Sequence, residues 1–401
     1  MREKKRILIV SHAMELGGAE RSLIGLLNAL DPAICDIDLF LFRHEGELMG
    51  EIPSYIHLLP EVPAYTVLAR PMKDTLREGH VLLTSARFAG RIAADRYAKE
   101  HKYTESAVDL EYSHKFTCPF MPKIQPNKEY DLAISFLTPH YFVARKVRAK
   151  KKIAWIHTDY SRVQVDILSE TAMWQAYDHI ASISNAVTES FLTIFPSLKD
   201  KIILLENILS EHLVKKQSEA FSVESEMPTN GFRLVSIGRY CTAKNFDNVP
   251  DICSKLLEKG LEVTWYLIGF GPDEQLIRQK ISEAHMEDHV ILLGKRENPY
   301  PCIKACDLYV QPSRYEGKAV TVREAQMLGK PVVITRYATS KDQLEDGVDG
   351  IIVPMDHEGC AEGIATLLRN PDKMAQLSAC CKQRDYTNVA EINKLCALME
   401  K

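Results

Sequence analysis

Two glutamates eight residues apart, Glu316 and Glu324, stand in the stretch "SRYEGKAVTVREAQMLGKPVV" (313–333). A carboxylate accepts two hydrogen bonds side by side and so suits a vicinal pair of hydroxyls. Glu316 follows the apolar run "DLYVQP" (307–312), and Glu324 lies in "AVTVREAQML" (319–328), which reads as a helix. The first amides of such a helix, with its dipole, favour a phosphate. Either glutamate alone would be an ordinary partner for a helix dipole. Together they ask for a ligand with two polyols joined through phosphate.

Cations stand where that phosphate would need them. Arg239 and Lys244, in "SIGRYCTAKN" (236–245), share one short loop after an apolar run, with Gly238 giving backbone freedom. Two cations so placed suit a diphosphate. The runs "YLIGFGP" (266–272), with Gly269, and "LGKR" (293–296), with Gly294, Lys295 and Arg296, repeat the pattern and leave bare backbone for a flat base or sugar. The set fits a nucleotide sugar, with ribose on one carboxylate and hexose on the other. In the first half of the chain, Gly17 and Gly18 follow the first apolar run and open the helix "GAERSLIGLLNAL" (18–30), a weak anion signal by itself. His157, in "AWIHTDY" (154–160), ends another run and would contact a sugar or orient an acceptor. Asp159 is a weaker candidate beside it.

Residues so placed must be held by parallel strands, because in open parallel sheets ligands bind beyond the carboxyl ends. The alternation of apolar runs and amphipathic stretches supplies them. Strands are predicted at 6–12, 36–42, 130–137, 152–158, 179–184 and 201–206, and again at 232–238, 262–269, 289–294, 307–312, 331–335 and 350–354. A clear helix, "RFAGRIAADRYAKEHKY", covers 87–103. The polar run 208–230 reads as a linker between domains at 1–207 and 231–385, and the helix over 386–401 could cross back onto the first domain. The expected class is α/β, with two Rossmann-like doubly wound domains facing across a cleft.

A chain of 401 residues needs two cores of ordinary size. Its 46% hydrophobic and 26% charged residues match a soluble globular protein, and a net charge of −4 excludes no partner class. No run approaches the roughly 18 apolar residues of a membrane span, and the start "MREKKRILIV" lacks a secretory cleavage pattern. Ten cysteines without C-x-x-C or zinc spacing point to a reducing cytosol and no structural metal. From Val67 to Lys152, 17 Lys/Arg face 9 Asp/Glu, an excess of 8 that could meet anionic lipid at the inner face of the plasma membrane or a phosphorylated acceptor. Nucleic acid is not an expected partner.

"GGAERS", "GRYCTAKN", "LIGFGP" and above all "YEGKAVTVREAQMLGKPVV" together resemble glycosyltransferase family 4, the retaining two-domain GT-B enzymes. The resemblance covers nearly the whole chain in the right motif order. It implies that Arg239 and Lys244 neutralise the donor diphosphate, that Glu316 contacts the transferred sugar, and that Glu324 holds the ribose. Gly317, Lys318, Ala319 and Val320 would form the loop whose amides meet phosphate or sugar. His157 would reach the sugar from the first domain, and Gly18 would lie beside donor and acceptor. The family's usual loop is "EGFG", whereas this chain has "EGKA", which leaves the donor sugar open. The resemblance implies hexose transfer from a nucleoside-diphosphate sugar, by family frequency a UDP-sugar, to a glycan or lipid-linked acceptor in capsule or exopolysaccharide synthesis, without a metal or other cofactor. Competing readings are a nucleotide-sugar epimerase or glycan phosphorylase on the same fold, a dinucleotide oxidoreductase, which would need a G-x-G-x-x-G after the first strand, and a non-catalytic glycan binder.

Overall fold

The computed structural model describes residues 4–15, 17–103, 106–158, 160, 163–316 and 319–400. The chain divides into two compact units, Met1–Leu209 with Asn388–Lys401, and Ser210–Thr387.

The first unit is built on a seven-stranded sheet: β1 (Lys5–Ser11), β2 (Cys35–Leu41), β3 (His57–Leu58), β4 (Tyr130–Ser135), β5 (Ala149–Ile156), β6 (His179–Ser182) and β7 (Ile202–Leu204). Their order is β3-β2-β1-β4-β5-β6-β7, parallel throughout. Ile7, Leu8 and Ile9 are completely buried, as expected where helices cover both faces of a strand. The second unit repeats the plan with β8 (Phe232–Ile237), β9 (Val263–Ile268), β10 (Val290–Gly294), β11 (Leu308–Gln311), β12 (Val332–Thr335) and β13 (Ile351–Val353), in the order β10-β9-β8-β11-β12-β13, again all parallel. In each sheet the order reverses beside the first strand, between β1 and β4 and between β8 and β11. These are the switch points at which α/β sheets bind ligands.

Each predicted strand run contains a strand, and β3 is added; two residues are too few to show a period. Of the segment 208–230, expected as a linker, Ile208 and Leu209 belong to the first unit and the residues from Ser210 onward are built into the second. Its helix Glu211–Gln217 buries Leu213 and Val214 and packs against the helices Tyr300–Ala305 and Val320–Met327. Asn298 Nδ2 donates to Gln217 O at 2.8 Å, and Arg296 pairs with Glu226. A helix of two turns with one apolar face is too short to stand out among charged neighbours. The helix expected over 87–103 begins earlier and runs Val81–Glu100. The terminal helix Ile392–Glu400 lies in the first unit, where Lys394 Nζ donates to Leu204 O at 3.2 Å and Glu206 N donates to Glu391 Oε2 at 3.1 Å.

Candidate active site

At the switch point of the second sheet two loops are tied to each other. The loop after β8 makes a short 3₁₀ turn, Thr242–Lys244, and closes with Asn245 at φ 61°, a left-handed conformation that asparagine tolerates better than most residues. The buried Asn245 side chain donates from Nδ2 to Pro312 O at 2.9 Å, and Arg314 N donates to Ala243 O at 2.8 Å. Arg314 also forks onto Asp247 at 2.8 and 2.7 Å, the planar geometry that makes such pairs directional. Thr335, at the end of β12, donates to Ser313 O at 2.5 Å, and Thr339 donates to Glu316 O at 2.8 Å. The backbone leading to Glu316 is thus fixed from three sides.

That framework brings Lys244 and Glu316 into contact. Lys244 Nζ lies 2.5 Å from Glu316 Oε1, with the carboxylate side chain 9% exposed and the lysine 20%. The same oxygen accepts from Ser313 Oγ at 2.6 Å and Gln311 Nε2 at 3.2 Å, and Gln311 is in turn set by Tyr309 OH at 2.8 Å. Charge-assisted bonds of this kind hold the carboxylate oriented. Lys244 reaches it by lying across Gly238, where a Cβ would stand 2.9 Å from Lys244 Cε. Arg239 is exposed beside this pair and, among the described residues, has no ion-pair partner.

Beyond β8, β9 and β10 the ladder continues into glycine. Gly238 N donates to Ile268 O at 3.0 Å and Gly269 N donates to Gly294 O at 2.9 Å, so Gly238, Gly269 and Gly294 form a floor without side chains. A Cβ on Gly269 would fall 1.9 Å from Gly238 O, which only glycine avoids. At its edge stands the exposed ring of Phe270, with Lys295 Nζ 5.7 Å from the ring centroid.

Glu324 points inward from the helix Val320–Met327, buried, with its Oε1 accepting from the Tyr300 hydroxyl at 2.7 Å. The amide of Ala319, expected to face phosphate or sugar, instead donates to Gln343 Oε1 at 2.8 Å. Gln343 closes the pair by donating from Nε2 to Ala319 O at 3.2 Å, which fixes the entry to the helix begun by Val320. Gly317 and Lys318 lie outside the described residues, as does Asp159.

Gly17, Gly18 and His157 belong to the first unit. Gly17 caps the helix Gly18–Ala29, and a Cβ there would meet Glu20 Oε2 at 2.0 Å, so glycine lets Glu20 fold back over the helix start; Gly18 has open space around it. His157 follows β5 with its ring 4.5 Å from that of Phe136 and in line with Trp155. Burial lowers its pKa to about 3, so the ring is neutral. Sequence reading missed Gln311, Ser313 and Phe270. Gln311 had a visible signal, a polar residue closing an otherwise apolar strand. Among the described residues no group of three or more His, Cys, Asp or Glu could hold a metal ion. No described helix is long and apolar enough to cross a membrane.

Residues 217–384 match the family profile "Glycosyl transferases group 1". The chain is 27% identical over 148 residues to the putative glycosyltransferase EpsF of Bacillus subtilis, covering 36% of this chain and 38% of EpsF. The match therefore spans less than half the length of that relative. Among solved structures, Anabaena HepE in complex with UDP-glucose superposes with a TM-score of 0.59 at 17% identity, covering 98% of this chain and 99% of the other. A variant of S. aureus TarM in complex with UDP superposes with a TM-score of 0.63 at 15% identity, covering 99% and 100%. The whole chain thus has the GT-B fold, and its residues 217–384 are similar to the group 1 glycosyl transferases.

Proposed function

We propose that this protein is a retaining glycosyltransferase that moves a hexose from a nucleoside-diphosphate sugar, with UDP as the nucleotide, to an acceptor hydroxyl in cell-surface polysaccharide synthesis. The observation that carries the reading is the Lys244–Glu316 contact at the β8/β11 switch point, beside Arg239 and the glycine floor. In this reading Lys244 and Arg239 meet the diphosphate, Glu316 orients the transferred sugar, Glu324 serves the ribose, and Phe270 with Lys295 borders the base. His157 and Gly18 are the acceptor-side candidates within the first unit. Ligands bound in the structural neighbours support it: HepE was crystallised with UDP-glucose and a TarM variant with UDP.

The bond between the anomeric carbon and the donor phosphate oxygen breaks while the acceptor oxygen bonds the same carbon from the same face. The departing phosphate takes the acceptor proton. Charge grows on the phosphate as it leaves, and preorganised cations lower that barrier by roughly 3–4 kcal/mol per group in a dry site. Lys244, held at rest by Glu316, is already in place and needs only to turn. The mechanism needs no metal.

Membrane contact fits the same reading. The helix Val81–Glu100 exposes Val81, Leu82, Phe88 and Ile92 beside Arg91 and Lys99, a combination that favours anionic lipid. Co-sedimentation with phosphatidylglycerol vesicles but not phosphatidylcholine vesicles is the expected result, and equal recovery with both would contradict it.

The test of the transfer is incubation with a panel of nucleotide sugars and candidate glycan acceptors, with the product anomer read by NMR. An α-linked product from an α-linked donor is expected. Inversion, or turnover of the sugar without transfer, would reject the reading in favour of another reaction on this fold.

A further inference from the structure

Glu316 is saturated on one side only. Its Oε1 accepts from Lys244, Ser313 and Gln311, whereas Oε2 has no hydrogen-bond partner among the described residues. A second unsatisfied atom lies near it. Tyr337 stands in the loop after β12, between Thr335, which donates to Ser313 O at 2.5 Å, and Thr339, which donates to Glu316 O at 2.8 Å. Those two bonds hold the loop against the turn that carries Glu316. Tyr337 is 3% exposed, and its hydroxyl is buried without a hydrogen-bond partner among the described residues. An unpaired buried phenol costs free energy that a phenylalanine of the same shape would avoid, unless a ligand or a water satisfies it. Burial raises its pKa and the charge of Glu316 raises it further, so the group stays a neutral O–H donor.

We infer that Tyr337 reads the transferred sugar: its O–H donates to a ring hydroxyl of the hexose, and that same hydroxyl donates to Glu316 Oε2. The inference rests on the transferase reading and adds a chemical requirement on the donor, a free hydroxyl at one position. The pairing of a free donor with a free acceptor decides which ligand group fits. A hydroxyl accepts and donates at a single atom, so it satisfies both protein groups at once. A phosphate oxygen would accept from Tyr337 but be repelled by the carboxylate. An ammonium or an amide N–H would serve Glu316 and leave Tyr337 unpaired. The sugar is therefore neither deoxygenated nor acylated at the position read. Tyr337, Glu316 and the three groups that occupy Oε1 all belong to the second unit, so the reading is complete within it.

The experiment is calorimetry on the full chain without acceptor, so that only the donor is read. UDP-glucose, UDP-galactose and UDP-N-acetylglucosamine are titrated first, followed by analogues of the tightest binder that each lack one sugar hydroxyl. Tyr337→Phe is expected to weaken the intact donor roughly tenfold or more, because it leaves a sugar hydroxyl without its partner. One analogue should lose about as much against the unsubstituted chain, and for that analogue Tyr337→Phe should bring little further loss, since the contact is already gone. UDP alone should bind both chains equally. The melting temperature of Tyr337→Phe should hold or rise, because an orphaned buried polar atom is removed; a lower one would assign the hydroxyl to the fold and overturn the inference. Unchanged donor affinity in Tyr337→Phe, an equal loss for the intact donor and every analogue, or binding of UDP with none of the sugar donors would also overturn it and leave the diphosphate site standing. A chain that binds no UDP overturns the donor reading itself.

Discussion

Lys244 and Glu316 concentrate the account at the level of single residues. Each satisfies the other at rest, so removing one leaves a nearly buried charge behind. Lys244→Ala should lower kcat at least about 100-fold, the usual scale for loss of one preorganised charge partner. It should also destabilise the second unit by about 2–3 kcal/mol, because Glu316 keeps only Ser313 and Gln311. Product formation under saturating donor and a denaturant melt measure the two effects separately, and near-normal turnover would remove Lys244 from the chemistry. Glu324→Gln should instead raise the donor's Kd with kcat little changed, because its proposed contact is to the ribose; calorimetry showing an unaltered Kd would reject that role. The sequence exposed these residues because charged groups after buried strands are few. It did not expose their contact, which depends on the path of Lys244 across Gly238, nor the pairing of Ala319 with Gln343, which joins residues 24 positions apart.

At the scale of elements, the glycine floor separates two kinds of constraint. A Cβ on Gly238 would press on the flexible end of Lys244, whereas one on Gly269 would strike the carbonyl of Gly238 at 1.9 Å. Gly238→Ala should therefore fold normally and bind donor roughly tenfold more weakly, about 1.4 kcal/mol. Gly269→Ala should lose stability by about 1–3 kcal/mol through backbone displacement. Melting curves beside donor titrations distinguish them, and equal effects on stability would refute the distinction. The strands themselves were legible because strands buried on both faces are continuously apolar. The helix Glu211–Gln217 was not, since its burial is decided by the helices it meets rather than by its own pattern.

Across the whole molecule, the two units carry different titrating groups. In the first unit burial holds His12 near a pKa of about 4 and His157 near about 3, and pushes His114 and His140 well below the ordinary imidazole range. The unfolded chain binds protons at these positions below about pH 6.5 while the folded chain does not, so each costs roughly 1.4 kcal/mol per pH unit as the pH falls. Glu170 opposes them: burial raises it to about 7, so it favours the folded state as the pH falls from 7 to about 4.5. Burial also raises Glu20 and Glu111, but the three carboxyls are outnumbered by four histidines, and below about pH 4.5 the contribution of Glu170 stops growing. The first unit should lose stability from about pH 6.5 towards 4, steepest at the acid end. Urea midpoints read from its buried tryptophans, Trp155 and Trp174, would show this, and a flat profile would contradict it. The doubling of the fold was readable from the restart of the strand pattern after 230, whereas no local pattern announced the histidine cluster, whose members follow β1, β4 and β5 or stand on a helix.

The most direct measurement is a calorimetric titration of UDP into the intact chain and into the Arg239→Ala/Lys244→Ala double variant. The account predicts clear binding to the first and at least about 100-fold weaker binding to the second, or some 2.7 kcal/mol. Equal affinity in both, or no binding to either, would contradict the claim that the β8 loop grips a donor diphosphate.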